Sequence, residues 1–151
     1  MKSVEPCFRM AVKPAIQDAR LAALIAPCGM NCGLCYAFQG SRTRCPGCRI
    51  DGGKKCKTRV DCKIKVCTNR RAGEADFCTS CASFPCQRLQ ALDKRYRQKY
   101  GMSMLENLEK LKAVGIERFL QSERDKWACV GCGGTLCVHK AQCLVCKREW
   151  R

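Results

Sequence analysis

Eleven of the chain's seventeen cysteines fall between Cys28 and Cys86, in the run CGMNCGLC, CPGC, CKTRVDC, KIKVC, FCTSC and FPC. Thiols spaced this closely are either oxidised in pairs or held on metal, and that choice constrains the fold more than any apolar pattern in the chain. At 151 residues the chain is one ordinary domain, or a few modules each too small for a good apolar core. Leu, Ile, Val and Phe are too thin to close a core unaided, so cross-links must replace part of the hydrophobic stabilisation.

Compartment separates disulfides from metals. The first 27 residues interleave Glu5, Arg9, Lys13, Asp18 and Arg20 with apolar positions, unlike the unbroken apolar run of a secretory signal. No stretch approaches the roughly 18 consecutive apolar residues of a membrane span. The expectation is a cytoplasmic protein with no membrane partner, in a reducing compartment where disulfides are disfavoured. The odd cysteine total and the repeated two-residue gap also point to ligation.

The chain therefore reads as a small metal-stabilised α+β protein in four segments. These are an N-terminal helical extension (1–27), a multi-cysteine metal-binding module (28–86), a helical segment (87–127) and a zinc-ribbon-like module (128–151). In the first, Ile16, Ala19, Ala23 and Leu24 recur at helical spacing, predicting a helix over 14–26 with Pro14 in its first turn and Pro27 behind its end. Cys7 is expected to be an unpaired thiol.

In the second segment, Cys28, Cys32 and Cys35 form a Cys-x3-Cys-x2-Cys triplet, with glycines that let backbone amides turn toward the sulfurs. This spacing suits zinc, the preferred reading, or three ligands of a four-iron cluster. A radical enzyme built on such a cluster would need a partial α/β barrel, and no alternation of strands and helices follows. The Pro-Gly turn of Cys45 and Cys48 makes a metal knuckle, repeated at Cys78 and Cys81, with Cys86 close behind. Ile64 and Val66 alternate with lysines, as in a short half-exposed strand or a single helical turn delivering Cys67. Sequence suggests one site from Cys45, Cys48, Cys62 and Cys67. Cys28, Cys32, Cys35, Cys78, Cys81 and Cys86 remain for a second site or a thiolate-bridged pair.

The order CGxxCxxC, CPGC, CxIxxC and FCxxCxxFPC, followed by RL and an aromatic, basic helix, resembles the uncharacterised cysteine-rich proteins catalogued as domain of unknown function 3795. The resemblance runs over most of the chain after Pro27. It implies cysteine-rich metal binding and supplies no catalytic residue. Cys56 departs from the pattern, which places a cysteine nearer Cys62.

Beyond Cys86, Leu89, Leu92, Tyr96 and Tyr100 share one face of a helix predicted over 87–100, which Gly101 closes. Ser103 and Glu106 form a capping box for a helix over 104–114 that Gly115 ends, and a third helix follows over about 116–126. The tail reads as knuckle, short strand, knuckle, with Cys129, Cys132, Cys143 and Cys146 on one zinc. Cys137 and His139 stand two apart, on one face if the segment is a strand; they join the site, bind a second metal or simply pack.

The formal charge of +16 falls to about +10 if three divalent ions each carry four thiolates, a net charge of about −2 per site. Basic residues crowd 42–71, including Arg42, Arg44, Arg49, Lys54, Lys55, Lys57, Arg59, Lys63, Lys65, Arg70 and Arg71. They either neutralise the metal sites or face a polyanion. With one histidine, no serine nucleophile elbow and no phosphate loop, the chain lacks the parts of most hydrolases and transferases. The expected function is a zinc-binding module with about three zinc ions that grips an acidic partner, nucleic acid or protein. The alternative is an iron-sulfur protein with a redox or cluster-dependent enzymatic role, its cluster at Cys28, Cys32 and Cys35.

Overall fold

A computed structural model describes residues 15–40, 42, 45–72 and 76–151. Cys7, Pro14 and Arg44 lie outside the described residues. In chain order the helices are α1 (Ala15–Ala22), α2 (Tyr36–Gln39), α3 (Lys57–Val60), α4 (Thr68–Ala72), α5 (Gln87–Tyr100) and α6 (Met104–Lys126). Single 3-10 turns occupy Cys32–Leu34 and Cys78–Ser80.

The hairpin of α5 and α6 frames the molecule. Leu89 of the apolar stripe is fully buried, and α5 stops where expected because Gly101 takes a left-handed φ of 62° that suits glycine. Ser103 then caps α6, its Oγ accepting the Glu106 N–H at 3.0 Å. Helix α6 breaks at Gly115 (φ 80°, ψ 168°), so its halves correspond to the two helices expected over 104–114 and 116–126.

Asp93 locks the hairpin, although its place among the apolar residues of α5 first looks wrong for an acid. Its carboxylate accepts from Ser103 Oγ at 2.7 Å, from the Leu105 N–H at 3.0 Å and from Arg97 Nε at 2.7 Å. Burial by itself would raise the carboxyl, but the bonds from Leu105, Ser103 and Arg97 outweigh it and hold the group below its ordinary value. Asp93→Asn should lower unfolding stability by about 2 kcal/mol, since the amide cannot accept from all three donors. The folded carboxyl titrates below its unfolded value of ~3.9. The advantage over the variant is therefore complete above that pH and shrinks as pH falls through the folded value. Equal urea midpoints for the two proteins at pH 7 would refute this role.

Helix α1 is shorter than expected, ending at Ala22 rather than Ala26. The next residues double back instead: the Ala26 N–H bonds Met30 O and the Cys32 N–H bonds Leu24 O, both at 2.8 Å. This pairing, centred on a bridge between Ile25 and Asn31, fixes the first cysteine loop. The strand of the expected ribbon does not form. Among the described residues β structure is confined to isolated bridges, two of them in the tail, Ala128 with Thr135 and Gln142 with Glu149. Val138 and His139 lie in a turn, because the Val138 N–H is drawn to Leu34 O at 2.9 Å.

One apolar cluster joins these parts. Ala26, Met30 and Leu34 from the first loop meet Leu89, Met102 and Leu108 from the hairpin, and Trp127, Leu136 and Val138 from the tail. A smaller cluster of Ile25, Leu111, Phe119 and Leu120 has Leu21 and Ala22 of α1 packed against it.

Candidate metal centres

The tail brings Cys129, Cys132, Cys143 and Cys146 together. Among the described residues they are the one set of three or more potential metal ligands whose ligand atoms all lie within 4.8 Å of one another. Cys129 Sγ stands 3.6 Å from Cys146 Sγ, and Cys132 Sγ 3.7 Å from Cys143 Sγ. A tetrahedral ion with metal–sulfur bonds of ~2.3 Å has sulfur edges of about 3.8 Å, so the four thiols are spaced as one ion requires.

The two knuckles are built alike. Each chain reverses into a left-handed residue after its second cysteine, Gly133 at φ 71° and Lys147 at φ 63°. The N–H of that residue returns to the carbonyl of the first cysteine, Cys129 at 2.8 Å and Cys143 at 3.0 Å. Backbone amides consequently face the sulfurs. The Gly131 and Cys132 N–H groups hold Cys129 below the ordinary thiol value, and those of Cys146 and Val145 do the same for Cys143. Cys132 receives the Gly134 N–H but is pushed up by the neighbouring Cys146 thiol. Four sulfurs this close can all ionise only around a cation.

Two further groups of cysteines surround cavities. Cys28, Cys32, Cys35, Cys45, Cys48 and Cys62 line a partly open space of about 170 Å³, with Leu92, Tyr96 and Met104 of the hairpin also in its wall. Cys67, Cys78, Cys81 and Cys86 line a smaller one of about 30 Å³, with Lys63, Arg70 and Arg88 around it. The grouping differs from that suggested by sequence. Cys67 faces Cys78, Cys81 and Cys86, whereas Cys45, Cys48 and Cys62 join the first triplet. The segment 63–66 is a helical turn, with the Val66 N–H bonded to Cys62 O at 2.9 Å, and it carries Cys67 away from Cys62.

Burial pushes Cys28 up to about 12 and Cys78 up to about 11, and also raises Cys35. Cys32 and Cys48 share a hydrogen bond that raises the first and lowers the second. The Cys48 N–H also reaches Cys32 Sγ at 3.4 Å. All sixteen cysteines of the described residues are free thiols.

Several residues that shape these centres carry no obvious sequence signal. Arg49 looks like part of the basic run, but its Nε donates to Ile25 O at 2.7 Å, and its guanidinium bonds Asp76 and lies 4.6 Å over the Phe77 ring. It pins the Cys45–Cys48 knuckle to the loops on both sides. Asn31 caps the first 3-10 turn through the Gly33 N–H at 3.0 Å. His139 has both ring nitrogens engaged: Nδ1 accepts the Tyr36 N–H at 3.2 Å, and Nε2 lies 3.0 Å from Tyr96 Oη. Its role is hydrogen bonding and packing, and Cys137, fully buried, stands outside the tail tetrad. Cys56 is exposed, its Sγ accepting from Arg59 at 3.1 Å.

Residues 24–91 match the model of a family described as Protein of unknown function (DUF3795). The matched stretch contains every cysteine of both cavities and the start of α5, and leaves out the tail tetrad. No curated protein and no solved structure matches the chain. Among the described residues no helix is long and apolar enough to cross a membrane.

Proposed function

We propose that this chain, whose residues 24–91 belong to the DUF3795 family, is a zinc-folded cytoplasmic adaptor whose basic face binds nucleic acid. One zinc is assigned to the tail tetrad, the one set of thiols among the described residues spaced for a single ion. A thiolate set with four ligands is coordinatively closed, so this ion acts in folding rather than in catalysis.

The observation that carries the binding role is how the positive charge divides. Arg49 is turned into the backbone, Arg59 toward Cys56 and the larger cavity, and Arg70 and Arg88 line the smaller one. These residues offset thiolates and hold loops. Lys54 and Lys57 are exposed instead, the first on the loop leading into α3 and the second at the start of that helix, in a chain that stays strongly basic after its thiolates are counted. Surplus exposed cations suit phosphates.

The test is binding of the zinc-loaded protein to a fluorescent single-stranded RNA and a DNA duplex over a salt series. Lys54→Glu with Lys57→Glu should weaken binding about tenfold or more and make the slope of log K against log salt about 2 units shallower. Lys110→Glu with Lys112→Glu on the exposed side of α6 should change it less. No retention of either nucleic acid at low ionic strength would overturn the proposal, and selective capture of an acidic polypeptide would replace it with a protein partner.

A further inference from the structure

We infer that the larger cavity, lined by Cys28, Cys32, Cys35, Cys45, Cys48 and Cys62, holds a four-iron, four-sulfide cluster in place of zinc. This goes beyond the adaptor reading and concerns a different site.

Size is the first ground. At about 170 Å³ the space exceeds the ~150 Å³ of an apolar cavity that takes benzene, whereas a single water needs only about 10–15 Å³. It therefore admits a group of several heavy atoms. Spacing is the second. The tail sulfurs stand at the edges of one ion's tetrahedron, yet no three of the six sulfurs here fall mutually within 4.8 Å, since the tail tetrad alone meets that measure among the described residues. A single zinc or a thiolate-bridged zinc pair needs short sulfur–sulfur edges. A cluster sits between its ligands and needs longer ones. Thiolates are the ligands such clusters take. The triplet supplies three, and the side formed by Cys45, Cys48 and Cys62 supplies the fourth.

A hydroxyl donor is already built into the wall. His139 Nδ1 accepts the Tyr36 N–H, so in the neutral ring the proton sits on Nε2, which donates to Tyr96 Oη at 3.0 Å. That lone pair being taken, the phenolic proton must find another acceptor. Tyr96 lines the cavity, and a cluster held there would offer its sulfur as that acceptor. A hydrogen bond to cluster sulfur stabilises the more negative, reduced state and so raises the reduction potential.

The full chain should be purified without oxygen and assayed for iron, acid-labile sulfide, zinc and visible absorbance, before and after incubation with ferric iron, sulfide and excess thiol, the thiol reducing two of every four ferric ions to the mixed-valence state of the cluster. About four irons and four sulfides per chain, with a broad visible band bleached by dithionite as one electron enters the cluster, are expected. Cys35→Ser should lose the band and the iron while keeping tail zinc; Cys132→Ser should do the reverse, so that failure here is distinct from failure of the zinc assignment. Tyr96→Phe keeps the ring packing and should retain the cluster at a more negative potential, and an unchanged potential would overturn the role of the hydroxyl. Protein that holds zinc in this cavity and takes up no iron on reconstitution would overturn the cluster.

Discussion

Replacing Cys143 by serine is expected to release one zinc and unfold residues 128–151 while α5 and α6 remain helical. Structural zinc contributes roughly 10–16 kcal/mol of apparent binding free energy in small peptides. The tail buries few large apolar side chains, chiefly Leu136 and Val138, worth about 1.5–3 kcal/mol each. The ion therefore outweighs the local apolar contribution several-fold, and a three-thiolate remnant lacks the closed tetrahedron. Trp150 packs edge-on to Trp127 at 5.5 Å, so loss of the tail should also shift tryptophan emission to the red. Chelating the metal from the wild-type chain under reducing conditions should reproduce both changes. If the tail amides keep the same dispersed spectrum after complete metal removal, the tetrad is not what folds this segment.

What sequence reveals here follows the range of the interactions involved. The knuckles of the tail are legible because each is closed by its own backbone, Cys129 to Gly133 and Cys143 to Lys147. The hairpin is legible for a similar reason: Gly101, Ser103 and Gly115 act within a turn of where they stand. The grouping of the remaining cysteines is not local. Five residues along a helical turn rotate by about 140°, so once 63–66 coils, Cys67 cannot follow Cys62 into one site, and the chain's alternation of lysine with Ile64 and Val66 permits a strand just as well. Helix α1 stops early because Ile25 and Ala26 are recruited by Met30 and Asn31, a competition that helical periodicity does not register. Asp93 leaves a usable trace, an acid set within an apolar stripe, but its partners Ser103 and Leu105 belong to the next helix. Arg49 leaves none, since a guanidinium reaching backbone carbonyls reads in sequence like any other charge of a basic run.

The same dependence on distant contacts makes Gly29 the residue whose smallest change should do the most damage in the cysteine-rich loops. It holds φ 86° inside CGMNC, and a methyl group there would meet Met104 O and Leu108 Cγ at 2.8 Å, a backbone atom and a fully buried side chain. Its carbonyl also accepts from the buried Asn107 Nδ2 at 3.0 Å. Gly29→Ala thus meets two costs, about 1–2 kcal/mol for the left-handed conformation and about 1–3 kcal/mol for overpacking against α6. A total loss of roughly 2–5 kcal/mol is expected in denaturant unfolding. Relief can come only by lifting the loop from the helix, which moves Cys28 and Cys32 together, so metal bound in the larger cavity should be lost as well. Gly101→Ala separates the two costs: its φ of 62° is equally left-handed, but nothing lies within 4 Å of the added carbon. It should lose only the conformational part and keep its metals. Equal losses for the two variants, with metal retained in both, would show that the first cysteine loop does not depend on its close seat against α6.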